Sequence, residues 1–114
     1  MSKNTMAIKL PRRVEKYLQT AGEQIKLARK RRHLSLATIA ARAQCSELTV
    51  IRVEKGAPTV AMGIYARVLY ALGLDEDILL LAGNDRTGQA LIEAEILARG
   101  EKNHHQMDEE DVFD

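Results

Sequence analysis

Glu47, Leu48, Thr49 and Arg52 follow Ser46 at offsets that set a carboxylate, a branched apolar group, a hydroxyl and a guanidinium along one short helix, running from Glu47 to Lys55. This set suits recognition rather than bond making, because no nucleophile among them stands beside a base. Cys45 lies in a turn without a neighbouring base, His33 reads as a loop residue, and His104-His105 sit in a tail with too little apolar content to hold a preorganised site. No second thiol or paired histidine stands near Cys45 at metal-ligand spacing. Neither catalysis, nor a metal, nor a cofactor is expected.

The elements that must position those residues are short helices with start and stop signals. Ser46 caps the helix that carries Val50 and Val53 inward, and Gly56 ends it where a positive φ is usually needed. Before it, Ser35 caps a helix in which Leu36, Ile39, Ala40 and Ala43 recur at three- and four-residue intervals, with Gln44-Cys45 as the interruption. His33-Leu34 breaks it from a preceding helix in which Ile25 and Ala28 face one way while Lys26, Arg29, Lys30, Arg31 and Arg32 line the rest. Pro11 fits the first turn of a helix. Val14, Tyr17 and Leu18 then give a helical stripe that either stops near Thr20 or continues to Arg32. Thr20-Ala-Gly-Glu23 matches a capping box, which favours a fresh start there.

Downstream, Pro58-Thr59 opens a fourth helix with Ile64, Tyr65, Val68, Leu69 and Leu72 on its apolar face, ending at Gly73. Asp75-Glu76-Asp77 places negative charge at the start of a fifth, expected to bury Ile78, Leu79 and either Leu81 or Leu80 before Gly83. Leu91, Ile92, Ile96 and Leu97 allow a further helix to Ala98. The expected organisation is a basic arm or short helix over residues 1–19, a helical domain over 20–83, an additional helix over 84–100 and a disordered acidic tail over 101–114.

Bulk properties agree with one small all-α domain. The chain has 114 residues, 46% hydrophobic content, 4% aromatic residues, no tryptophan and two prolines, enough to close one modest core but poor in strand formers. The net charge of +1 hides an asymmetry. Residues 1–57 carry 13 Lys and Arg against 4 Asp and Glu, whereas residues 58–114 carry 4 against 12. A basic half suits a polyanion, and an acidic half suits a solvating tail or a basic protein partner. The single Cys45 implies a reducing compartment, and no apolar run is long enough to span a bilayer, so a soluble cytoplasmic protein, bacterial and nucleoid-associated, is expected.

Two short helices joined by a tight turn, the second with short side chains at its front, allow one helix to enter a major groove about 12 Å wide. Ser46, Leu48 and Thr49 meet that condition, which points to double-stranded DNA. Residues 21 to about 82 resemble the XRE family of phage repressor and Cro-like helix-turn-helix proteins. The resemblance rests on Ile25, Arg29, Ser35-Leu36, Ile39-Ala40, Ala43, Cys45-Ser46, Val50, Val53-Glu54 and Gly56. It implies a five-helix, lambda-repressor-like bundle in which Arg29 and Glu54 pair as a structural tie. It also implies that Glu47, Leu48, Thr49 and Arg52 face base edges: Arg52 toward guanine, Leu48 toward a thymine methyl, Glu47 toward cytosine, Thr49 toward base or phosphate. Ser35, Thr38 and Ser46 at helix starts suit capping, phosphate, or both. Lys26, Lys30, Arg31 and Arg32 supply further phosphate contacts, and the arm with Lys3, Lys9, Arg12 and Arg13 either tracks DNA or is simply solvated. One departure is Gln44, which stands where the family usually has glycine and costs about 1–2 kcal/mol in a left-handed turn.

Residues 56 to 85 carry a narrower resemblance, to HipB-like antitoxins paired with HipA-type serine/threonine kinase toxins. Pro58-Thr59-Val60, Gly63, Tyr65-Ala66-Arg67-Val68-Leu69, Ala71-Leu72-Gly73-Leu74 and Leu81-Ala82 carry it. It implies a homodimer that represses its own operon and binds the kinase, with Phe113 in the acidic tail as a docking anchor. Dimerisation is expected through Leu69, Leu72 and the fifth or sixth helix, with two recognition helices about one DNA turn apart. The competing readings are a kinase-inhibiting interaction module without DNA binding and an XRE regulator unrelated to toxin and antitoxin pairs.

Overall fold

A computed structural model describes residues 9–103, which are mostly helical, with no strand among the described residues. Five α-helices follow in order: α1 Arg12–Arg31, α2 Leu36–Ala43, α3 Glu47–Glu54, α4 Met62–Leu72 and α5 Arg86–Asn103, with a 3-10 helix at Asp75–Leu80. The chain divides into two units, Met1–Ile78 and Leu79–Asp114.

In the first unit, Ile25, Ala28, Ile39, Ala40, Ala43, Val50, Val53, Val68 and Leu72 form one buried core drawn from all four helices. Ile39, Ala43, Val50, Val53 and Val68 are wholly shielded from solvent. The side chains are small, so the short helices approach closely, and the inward positions of α1, α2 and α3 are those that their periodicity marks.

α1 does not restart at Thr20. Val14, Leu18, Ala21, Gly22, Ile25 and Ala28 are its least exposed apolar positions, and they recur at three- and four-residue steps across the whole helix. This unbroken stripe makes one 20-residue helix the better solution. Thr20 is an exposed helix-interior residue and caps nothing. Gly22 serves a different purpose. A Cβ there would lie 2.5 Å from the Gly56 nitrogen and 2.6 Å from the Glu54 carbonyl oxygen. Reciprocally, Gly56, at φ +72°, lies directly against the Leu18 carbonyl group. The two glycines let the backbone of α1 cross the end of α3 without intervening side chains.

The helix ends share one device. After α1, His33 N–H bonds Lys30 O at 2.9 Å and Leu34 N–H bonds Arg29 O at 3.2 Å. The same pair closes α2 at Gln44 and Cys45, α3 at Gly56 and Ala57, and α4 at Gly73 and Leu74. Each is a Schellman ending, with a left-handed residue followed by one that turns back toward the helix. The left-handed residues are His33, Gln44, Gly56 and Gly73. Leu34, Cys45 and Leu74, one position further on, pack against the core. Cys45 therefore acts as a small apolar plug.

Three further expectations are corrected. The fourth helix begins at Met62, not at Pro58-Thr59, because the chain from Ala57 first makes a loop pinned by the Tyr65 hydroxyl, which donates to Ala57 O at 2.7 Å. Burial pushes the Tyr65 phenol pKa up. The segment after Leu74 is a 3-10 helix rather than an α-helix, and Leu79, Leu80 and Leu81 are exposed rather than buried. A six-residue 3-10 helix is too short to present an apolar stripe, and of residues 78–81 only Ile78 is half-covered. Finally, Leu72 is 4% exposed and belongs to the core, so it is not available to a dimer contact. In the second unit, Asp85 Oδ1 accepts from Gly88 N–H at 3.0 Å and caps α5.

Candidate nucleic-acid interface

α2 and α3 start in the same way. Ser35 Oγ accepts from Thr38 N–H at 3.1 Å and lies 2.9 Å from Thr38 Oγ1. Ser46 Oγ accepts from Thr49 N–H at 3.1 Å and lies 2.9 Å from Thr49 Oγ1. Both hydroxyl pairs thus satisfy backbone donors that the first helical turn would leave open. Thr49 is half-buried and its hydroxyl faces back to its own cap, whereas Glu47, Leu48 and Arg52 are exposed, Leu48 to 57%. Val50, Val53 and Glu54 are buried on the opposite side of α3.

The inner side of α3 is fixed by an ion pair. Arg29 Nε donates to Glu54 Oε2 at 2.7 Å, Nη2 to Oε1 at 3.1 Å, and Nη1 to Leu34 O at 3.0 Å. The two side chains are 11% and 6% exposed. One guanidinium fork therefore ties α1, the start of α2 and the end of α3 together, and the Glu54 carboxylate raises the Arg29 pKa. No buried side-chain nitrogen or oxygen among the described residues lacks a partner. α3 is held rigidly from behind while its front stays open, the arrangement that precise recognition of a rigid ligand requires.

The remaining cations distribute unevenly. Lys26 and Lys30 share an open groove of about 620 Å³ with Gln19, Glu23, Leu36, Ile51 and Lys55, floored by the Arg29–Glu54 pair. Arg31 is exposed. Arg32 donates through Nη1 to Ala28 O at 3.0 Å and so serves the end of its own helix. Lys55, the C-cap residue of α3, joins Lys26 and Lys30 only through the fold, and no local pattern in the sequence marks it. Phe113, Lys3 and the acidic tail beyond residue 103 lie outside the described residues.

Among the described residues no group of three or more His, Cys, Asp or Glu converges as a metal site, and no helix is long and apolar enough to cross a membrane. A family model described as a helix-turn-helix domain matches residues 20–80, from the middle of α1 to the end of the 3-10 helix. No match was found among curated proteins or among solved structures.

Proposed function

The chain belongs to the helix-turn-helix domain family, a DNA-binding fold, and from that premise we propose that it is a sequence-specific transcriptional repressor that reads its operator with α3. The observation that carries this reading is the division of labour on α3. Its cap and inner face are occupied by Ser46, Thr49, Val50, Val53 and Glu54, while Glu47, Leu48 and Arg52 remain exposed on a rigid support. Arg52 supplies the bidentate donor for guanine and Leu48 the apolar contact for a thymine methyl. Glu47 supplies an acceptor for cytosine, and Thr49 adds its γ-methyl group and backbone. Ser35, Thr38, Ser46, Lys26, Lys30, Arg31 and Arg32 serve the phosphates, with Lys55 added to the set.

A gel-shift titration with the DNA upstream of the protein's own gene tests this. Arg52→Ala should weaken binding by about 1–3 kcal/mol and relax preference at one base pair, whereas Lys30→Ala should lower affinity evenly and flatten the salt dependence by about one log unit per log unit. Unchanged binding by Arg52→Ala would remove α3 from the reading role.

The narrower part of the proposal is an autorepressing antitoxin, a homodimer that binds a HipA-type serine/threonine kinase and docks it through the acidic tail with Phe113. The resemblance of residues 56–85 supports it, as does the acidic second half of the chain. A kinase reading frame adjacent to the gene, and loss of co-purification on Phe113→Ala, are the expected results. Retention of the kinase by that variant would discard the anchor.

A further inference from the structure

α5 is apolar on two opposite sides. On a helical projection Ile92 and Ile96 share one side, and they are the least exposed of its large apolar residues. On the opposite side Ala90, Leu91, Ala94, Leu97 and Ala98 fall within an arc of about 120°. All five are exposed, Leu91 to 66% and Leu97 to 68%. Leu79, Leu80 and Leu81 of the same unit are also 66–75% exposed. Within the α5 stripe Leu91 and Leu97 alone leave apolar surface on the order of 200–250 Å² bare, and the three exposed alanines extend it. A contact of that size lies at the small, weak end of protein interfaces.

Over residues 90–98 the outer stripe of α5 reads the same in both directions about Ala94. Leucine stands three residues away on each side, and alanine four residues away on each side. A surface with that symmetry is complementary to itself run antiparallel, because a two-fold axis at Ala94 brings position 91 of one copy level with position 97 of the other. Each leucine then lies over an alanine of the opposing helix: Leu97 over the partner's Ala90 and Leu91 over the partner's Ala98. The two Ala94 methyl groups meet at the axis, so the helices can approach to about 8 Å. We propose that the outer face of α5 is an isologous contact with a second copy of this chain, an antiparallel helix pair centred on Ala94. This deepens the dimeric part of the function proposed above and moves the contact away from Leu72.

The test is sedimentation equilibrium of the full chain without DNA, together with disulfide trapping in a Cys45→Ser background. A dimer at tens of micromolar is expected, with Leu97→Glu or Leu91→Glu weakening it at least tenfold while circular dichroism is unchanged. Ala94→Cys should form a disulfide-linked dimer under mild oxidation, and Gln89→Cys, outside the stripe, should not. A monomeric parent chain, an undisturbed dimer in both glutamate variants, or equal trapping at 89 and 94 would each overturn the proposal. None of these readouts uses DNA, so a failure of α3 as the reading helix shows up separately, in the Arg52→Ala titration.

Discussion

Two ion pairs of nearly equal length show how differently the two units are held. Arg29–Glu54 spans 2.7 Å with side chains 11% and 6% exposed, and it bridges residues 25 positions apart. Arg99–Glu95 spans 2.8 Å with side chains 48% and 53% exposed, and it links neighbouring turns of one helix. Length is therefore no guide to what each does. The first pair joins α1 to α3 and removes Glu54 from water, whereas the second stays within a single helix and exposed. The contrast extends to packing. Residues 9–78 contain the whole buried core, and none of residues 79–100 is buried. The first unit is closed by tertiary contacts, while the second relies on local helix formation and leaves apolar surface open.

The sharpest way to break this comparison is one substitution made in both units. Gly22→Ala places a methyl group 2.5–2.8 Å from three backbone atoms of residues 53–56, which cannot rotate aside. It should cost about 3–4 kcal/mol and lower Tm by roughly 15–25 °C, despite the better helix propensity of alanine. Gly100→Ala meets nothing within 4 Å and should raise stability by up to about 1 kcal/mol. Thermal melts followed by circular dichroism check both. A neutral Gly22→Ala would mean that α1 does not cross α3 as described.

The ion pairs come next in size. Glu54→Ala leaves the shielded Arg29 guanidinium with only Leu34 O as a partner and should cost about 2–4 kcal/mol in urea titration. Glu95→Ala should cost less than about 0.5 kcal/mol, because an exposed pair one turn apart is screened by solvent. Equal effects would dissolve the distinction between the units.

What was legible in the sequence follows the same line. Ser35, Ser46, Gly56 and Gly73 announce helix boundaries through their own chemistry. The inward residues of α1, α2 and α3 repeat at helical intervals, so they could be read one element at a time. Thr20 misled because a capping box and a continued stripe are both local patterns, and the choice between them lies with Gly22, whose role depends on Gly56 far along the chain. The start of α4 was hidden for a related reason: Pro58 is a good first-turn residue, but the loop that displaces it is held by Tyr65. Leu79, Leu80 and Leu81 look like core because they are apolar, yet they fall at and just after the end of a short 3-10 helix that offers no apolar stripe, and all three stay exposed. At the candidate interface the cap residues and the exposed Leu48 and Arg52 were readable; the inward turn of the Thr49 hydroxyl is a local contact with Ser46 Oγ that accompanies the cap, while the grouping of Lys55 with Lys26 and Lys30 arises only from the crossing of α1 and α3.

The smallest expected effect concerns the turn that positions α3. Four helices end in the same hydrogen-bonded geometry, two with glycine at the left-handed position and two without, and Gln44 at φ +56° sits two residues before the Ser46 cap of α3. A non-glycine residue there bears about 1–2 kcal/mol of strain, partly offset because glycine loses more backbone freedom on folding. Gln44→Gly should therefore stabilise the first unit by about 1 kcal/mol, a rise of some 4–8 °C in Tm. Because the geometry is already left-handed, the exposed face of α3 should not move and affinity for operator DNA should stay within a factor of about two. The same substitution at His33, at φ +54° after α1, should give a similar stabilisation, since both endings carry the same pair of bonds. A Gln44→Gly protein that gained stability but lost DNA affinity would show that the glutamine side chain itself contributes to binding, and that its place in the turn is retained for that contact at the expense of stability.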